Sequence, residues 1–175
     1  MPNQNILEGK RILIVDDEPD ILETLEELLD MCLIDLAPNF ETASKFLDKN
    51  TYDAAILDIM GVQGYDLLKI ATQKKIPCIM LTAHALSPDN LVKSLREGAQ
   101  SYVPKDKITE IPTYVAEIIE AAEKGKEGRD VRWYSRLKPF FDRKFGKGWR
   151  EKDPDFWKDF DRKYVSKKEE LEEIM

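Results

Sequence analysis

RILIVDDEPD, residues 11–20, decides the fold. Five residues dominated by branched apolar side chains end in two adjacent acids, and a short apolar run bounded by charge reads as a buried β-strand. DDEPD is then a loop, with Pro19 suited to the first turn of a helix and Glu18 placed to cap it. Ile21, Leu22, Leu25, Leu28 and Leu29 follow on one helical face.

Outward from this stretch the same alternation continues. LIDLA (33–37) is a second strand, and residues 40–49 form a helix through Ala43, Phe46 and Leu47. DAAIL (53–57) is a third strand that delivers Asp58, and a loop with Gly61 and Gly64 leads to a helix bearing Leu67, Leu68 and Ile70. IPCIML (76–81) ends at Thr82, and LVKSLREGA (91–99) closes a fourth helix that Gly98 stops. QSYV (100–103) exits through Pro104 and Lys105, and residues 108–124 form a fifth helix through Ile111, Val115, Ile118, Ile119 and Ala122. Five alternations of strand and helix predict a doubly wound α/β domain with a five-stranded parallel sheet.

In such a sheet the carboxyl ends of the strands share one edge, where ligands bind. That edge gathers Asp16, Asp17, Asp58, Thr82 and Lys105. Three carboxylates repel one another unless a cation joins them, and a hard cation such as Mg²⁺ takes carboxylate oxygens while keeping some of its waters. A lysine and a hydroxyl beside them suit a phosphoryl group. The pattern points to metal-assisted phosphoryl chemistry at an aspartate. His84, the one histidine, stands two residues past Thr82 without a second ligand, so it is a loop residue rather than a metal site.

Length and composition agree with one ordinary domain plus an appendage: 175 residues, 42% hydrophobic and 35% charged. No apolar run approaches the roughly 20 residues of a membrane span, and MPNQNILEGKR lacks a signal-peptide core, so the expected location is the cytoplasm. Cys32 and Cys78 have no CxxC spacing and read as reduced, buried thiols. Charge is uneven. Residues 1–128 hold 13 Lys and Arg against 23 Asp and Glu, whereas residues 129–175 hold 14 against 11. Ten of the 16 aromatic residues, including all three tryptophans, lie after residue 128. GKEGRD (125–130) marks the join, which gives domains at 1–126 and 127–175.

Residues 10–125 resemble the receiver domain of a two-component response regulator, with its chemotaxis-regulator-like, flavodoxin-like fold. The DDE after strand one, the aspartate after strand three, TAHA after strand four and SYVPK after strand five occur in the family's order. The resemblance implies that Asp58 accepts a phosphoryl group from a histidine kinase or phosphotransfer protein. It implies that Asp17 ligates Mg²⁺ (or Mn²⁺) directly and Asp16 mostly through water, with Asp58 and the main-chain carbonyl of Met60 completing the protein ligands. Lys105, the Thr82 hydroxyl and the Ala83 amide would contact phosphoryl oxygens, and Thr82 and Tyr102 would form the switch pair. Such a protein transfers and hydrolyses only its own phosphoryl group and is not otherwise an enzyme. Two departures stand out: IMGVQGYDLL is shorter than the family's loop and lacks its Met-Pro, and Pro104 precedes Lys105 where the family has proline after the lysine. The Lys105–Asp106 bond is therefore expected to be trans, with Asp106 placed to soften the lysine's charge.

Residues 129–175 resemble nothing nameable. Pro139 predicts a helix beginning there and ending at Gly146. Asp153–Pro154 is a strong helix start, after which Phe156, Phe160 and Tyr164, with Trp157 beside them, make an aromatic stripe. Such a stripe must pack on the receiver or a second copy, or dock an output protein. A net charge of only +3 over the segment argues against nucleic acid. Two other readings compete: a haloacid-dehalogenase-like phosphatase with Asp16 as nucleophile, and a receiver-fold interaction module whose tail covers its own output face.

Overall fold

A computed structural model of the chain describes residues 4–125 and 130–163. These fall into two compact units, the first up to Trp133 and the second from Tyr134.

In the first unit, β1 (Arg11–Val15), β2 (Leu33–Ala37), β3 (Ala54–Asp58), β4 (Cys78–Thr82) and β5 (Ser101–Pro104) form one parallel sheet in the order β2-β1-β3-β4-β5. The helices between them are α1 (Pro19–Leu28), α2 (Phe40–Lys49), α3 (Gly64–Gln73) and α4 (Pro88–Arg96), with α5 (Ile111–Glu123) after β5. β3 and β4 are buried at every residue, as expected of strands covered on both faces, whereas the edge strand β2 is only partly covered. Register aligns the strand ends: Val15 pairs with Leu57, Asp58 with Leu81 and Thr82 with Pro104. Asp16, Asp58, Thr82 and Lys105 therefore leave the sheet at one edge. The strand order reverses between β1 and β3, which opens a crevice where a ligand can sit.

Local chemistry sets most element boundaries. Asn39 and Ser87 cap α2 and α4 by accepting the amides of Thr42 and Asn90. Glu18 occupies the cap position of α1 but makes no capping bond; instead Asp16 Oδ1 accepts the Glu18 amide at 2.9 Å. The fifth helix begins at Ile111 rather than 108, because residues Lys105–Glu110 form a 3-10 turn and Pro112 sits in the first turn of α5. Cys32 and Cys78 are free and buried, and burial pushes their thiols up to about 11 and about 12.

The second unit departs from expectation. α6 spans Arg132–Phe145 and passes through Pro139 instead of starting there. The proline lies on the exposed side of the helix beside exposed Ser135, so the donor it lacks is missing where water reaches the backbone. The opposite side carries Leu137, Phe140 and Phe141, all buried, and their packing outweighs the proline's penalty. Gly146, at φ 86°, ends the helix as predicted. A 3-10 turn (Trp149–Lys152) follows, and Asp153 caps α7 (residues 154–163) by accepting the Phe156 amide.

The aromatic stripe is not a free face. Trp157 and Phe160 are buried, with Tyr134 of α6 at ring-centroid distances of 5.5 and 4.9 Å. Trp149 meets Trp157 edge-on at 5.2 Å and Phe145 at 5.1 Å, so α6 and α7 share an aromatic core. Tyr164, the last member of the expected stripe, lies outside the described residues.

Candidate functional site

The site grows from the carboxyl ends of β1, β3, β4 and β5. Asp16 is 1% exposed and Asp58 6%, because each leaves a central strand before its chain turns outward. Asp17 follows on the exposed side, and one oxygen from each of the three acids lies within 4.8 Å of the others. Lys105, 9% exposed, reaches into the group from the end of β5. Its Nζ lies 2.9 Å from Asp16 Oδ2, 3.5 Å from Asp58 Oδ2 and 3.7 Å from Glu18 Oε2. The Asp16 contact is a charge contact rather than a well-aligned hydrogen bond. The Lys105–Asp106 bond is trans, yet the lysine arrives. Asp106 is exposed, and the acids that act on Lys105 are Asp16, Asp58 and Glu18.

Two glycines shape the acidic crevice. Gly61 has φ 84°, and a Cβ there would stand 2.3 Å from Asp17 Oδ2. A Cβ on Gly64 would stand 2.0 Å from the Asp58 main-chain oxygen. Only bare backbone lets the short β3–α3 loop lie this close to both acids. The Met60 side chain, 54% exposed, points away from the core, and the loop runs from it directly to Gly61 against Asp17.

The electrostatics describe an unbalanced site. Burial raises Asp58, neighbouring Asp16 raises it further, and Lys105 pulls it back; the result is about 6. Asp16 is also raised by burial, against the pull of Lys105 and the Glu18 amide. Burial alone would lower Lys105, but the surrounding acids outweigh it and the ammonium is held above its ordinary range. One lysine thus faces Asp16, Asp58 and Glu18, with Asp17 alongside. An all-oxygen donor set with surplus negative charge fits a hard divalent cation.

Thr82 and Tyr102 meet at one residue. Thr82 Oγ1 accepts the Ala85 amide at 3.1 Å, and the buried Tyr102 hydroxyl donates to the Ala85 carbonyl at 2.8 Å. The same hydroxyl accepts the Ser87 amide at 3.1 Å. The two residues therefore clamp the β4–α4 loop between them. Ala83 is exposed at its start. His84 is 77% exposed, with Nε2 3.6 Å from Glu18 Oε1.

Sequence reasoning located Asp16, Asp17, Asp58, Thr82, Tyr102 and Lys105 and missed three contributors. Glu18 was read as a cap, although a third acid in DDE was the signal that it could face Lys105. The exclusion of any side chain at Gly64 and the role of Ala85 as the shared partner of Thr82 and Tyr102 left no sequence signal beyond the residues being small.

Comparison with known proteins places this geometry. A family model described as the response regulator receiver domain matches residues 12–116. The two-component response regulator ARR18 of Arabidopsis thaliana is 36% identical over 103 residues, covering 55% of this chain and 16% of that protein. The transcriptional regulatory protein RprY of Bacteroides fragilis is 30% identical over 141 residues, covering 77% of this chain and 59% of RprY. The chain therefore spans only part of the length of these relatives. Among solved structures, a CheY-like receiver domain protein from Methanospirillum hungatei is 26% identical with a TM-score of 0.62, covering 68% of this chain and 100% of that one. A receiver domain protein from Clostridium thermocellum is 25% identical with a TM-score of 0.59, covering 67% and 99%.

Proposed function

The chain belongs to the response regulator receiver family, and from that membership we propose that Asp58 takes a phosphoryl group from the phosphohistidine of a histidine kinase or phosphotransfer protein. The observation that carries this reading is the placement of Asp58 at the end of β3, between two further acids and 3.5 Å from the Lys105 ammonium. An Asp58 oxygen attacks phosphorus in line, the bond from phosphorus to the donor imidazole breaks, and an acyl phosphate forms. Lys105 meets the incoming charge as a point cation, and its contact with Asp16 keeps it aimed. A divalent ion such as Mg²⁺ or Mn²⁺, held by Asp17, Asp58, Asp16 and the Met60 carbonyl, would neutralise charge on the phosphoryl oxygens. Hydrolysis reverses the modification when water attacks the same phosphorus and releases phosphate.

The switch follows from the clamp on Ala85. On modification the Thr82 hydroxyl turns to donate to a phosphoryl oxygen, to which the Ala83 amide also donates, and this draws Oγ1 away from the Ala85 amide, so one half of the clamp loosens and Tyr102 is left to reposition the loop before α4. The face built by α4, β5 and α5 then changes for an output partner. Phosphatase chemistry at Asp16 is disfavoured because both its oxygens are engaged, Oδ1 by the Glu18 amide and Oδ2 by Lys105.

The test is incubation of the full chain with acetyl phosphate and Mg²⁺, followed by reductive trapping of the acyl phosphate and peptide mass spectrometry. Label on Asp58 is the expected result. Label on Asp16, or none, refutes the assignment.

A further inference from the structure

Tyr65 makes a set of contacts that the chemistry above does not use. It is the second residue of α3, next to Gly64, whose backbone lies against the Asp58 carbonyl. Its ring is half-buried, with Lys93 Nζ 4.2 Å from the centroid. Its hydroxyl crosses to α4, where it lies 2.8 Å from Asn90 Oδ1, 3.2 Å from the Asn90 carbonyl and 3.3 Å from Ser94 Oγ. A hydroxyl has one proton, so it donates to Asn90 and accepts from Ser94. Ser94 is fully buried, and the Asn90 amide is held by Ser87 Oγ at 3.0 Å. The first two turns of α4 are thus gripped from two sides. Thr82 and Tyr102 hold the loop before the helix at Ala85 and Ser87; Tyr65 holds Asn90 and Ser94 from α3.

We propose that Tyr65 is a positioning residue that carries the state of Asp58 to Asn90 and Ser94 of α4, by a path separate from Thr82 and Tyr102. This rests on Asp58 being the phosphoacceptor. Gly64 cannot slide independently of Asp58, because their main chains are in contact with no room for a single methyl group. A shift of the β3–α3 loop on modification therefore moves the start of α3 as a body. The hydroxyl one residue along passes that movement to α4, and a hydrogen bond with fixed partners at both ends resists slack.

The experiment measures amide hydrogen exchange by NMR on the full chain, with and without Mg²⁺ and beryllofluoride, in wild type, Tyr65→Phe and Asn90→Ala. Phenylalanine keeps the ring under Lys93 and removes only the hydroxyl. In wild type the ligand changes exchange at residues 59–61, 85–87 and 91–94. In Tyr65→Phe the first two groups respond as before, while the change at 91–94 shrinks by roughly three- to tenfold, the worth of one neutral hydrogen bond. Asn90→Ala, which removes the nearer of the two acceptors on Asn90 and leaves its main-chain carbonyl, shrinks the change at 91–94 in the same direction but less than Tyr65→Phe. A full response at 91–94 in Tyr65→Phe overturns the proposal, as does a loss at 85–87 and 91–94 together, which would mark a merely structural residue. Wild-type change at 59–61 without change in α4 overturns the role of Tyr65 alone. No change at 59–61 overturns the assignment of Asp58, and the proposal with it.

Discussion

Asp58→Asn, in the absence of divalent metal, should make the protein more stable at neutral pH. Burial and the charge of Asp16 raise Asp58 from 3.8 to about 6, despite Lys105. Each unit of difference between folded and unfolded states corresponds to about 1.4 kcal/mol, so holding Asp58 ionised destabilises the fold by about 3 kcal/mol above pH 7. The folded value lies above the unfolded one, so the folded protein binds the extra proton between pH 4 and 6. Wild-type stability from this group is therefore complete below about pH 4 and is lost as pH rises through about 6. Asparagine keeps the shape and removes the charge. At pH 8 the variant should gain about 3 kcal/mol, which for a chain of this size is roughly 6–12 °C in melting temperature. The gain should shrink steadily toward pH 4. Urea unfolding followed by far-UV circular dichroism in EDTA, across that range, gives the comparison. A variant no more stable than wild type at pH 8, or one whose advantage grows on acidification, would refute the account of an over-charged site. Excess Mg²⁺ should stabilise wild type more than the variant, since the ion relieves the same repulsion.

Three further outcomes follow from the geometry. Gly64→Ala places a methyl group 2.0 Å from the Asp58 carbonyl, against backbone that cannot yield, and should destabilise by roughly 1–3 kcal/mol while abolishing modification by acetyl phosphate; thermal melts and the acyl-phosphate assay check both. Lys105→Met leaves Asp16 and Asp58 without the ammonium that touches them and should reduce stability at pH 8 by roughly 3–5 kcal/mol, a loss that shrinks on acidification below about pH 6 as Asp58 takes up its proton. Pro139→Ala restores a donor on the exposed side of α6 and should stabilise the second unit by up to about 3 kcal/mol, measurable as a shift in near-ultraviolet unfolding with no effect on Asp58 modification.

What could be read beforehand divides along physical lines. RILIV, DAAIL and IPCIML are short and apolar because both their faces are covered, so the pattern alone located the strands and hence the residues at their ends. Lys105 was legible as a strand-end residue, but its reach past Pro104 into the acids depends on the course of the chain, which no pattern encodes. Glu18 was misread because a glutamate before a helical proline has two available partners, and the burial of Lys105 chose between them. Pro139 misled for a related reason. The local penalty of an interior proline is real, but Phe140, Phe141 and Leu137 set α6 against an aromatic core whose packing exceeds it. Tyr65 gave no signal, since a tyrosine in an amphipathic helix looks the same whether its hydroxyl meets water or Asn90.

Trp149 and Trp157 stand nearly perpendicular, 82° apart at 5.2 Å, with Arg150 over one ring and Asp142 accepting the indole proton of the other. Two indoles this close share their electronic excitation, and a fixed charge of opposite sign at each ring spreads their transition energies. The second unit thereby carries its own optical signature, a coupled dichroic band that exists only while α6 and α7 stay closed. The chain can thus report the parting of α6 and α7 through the loss of that band, with no label added.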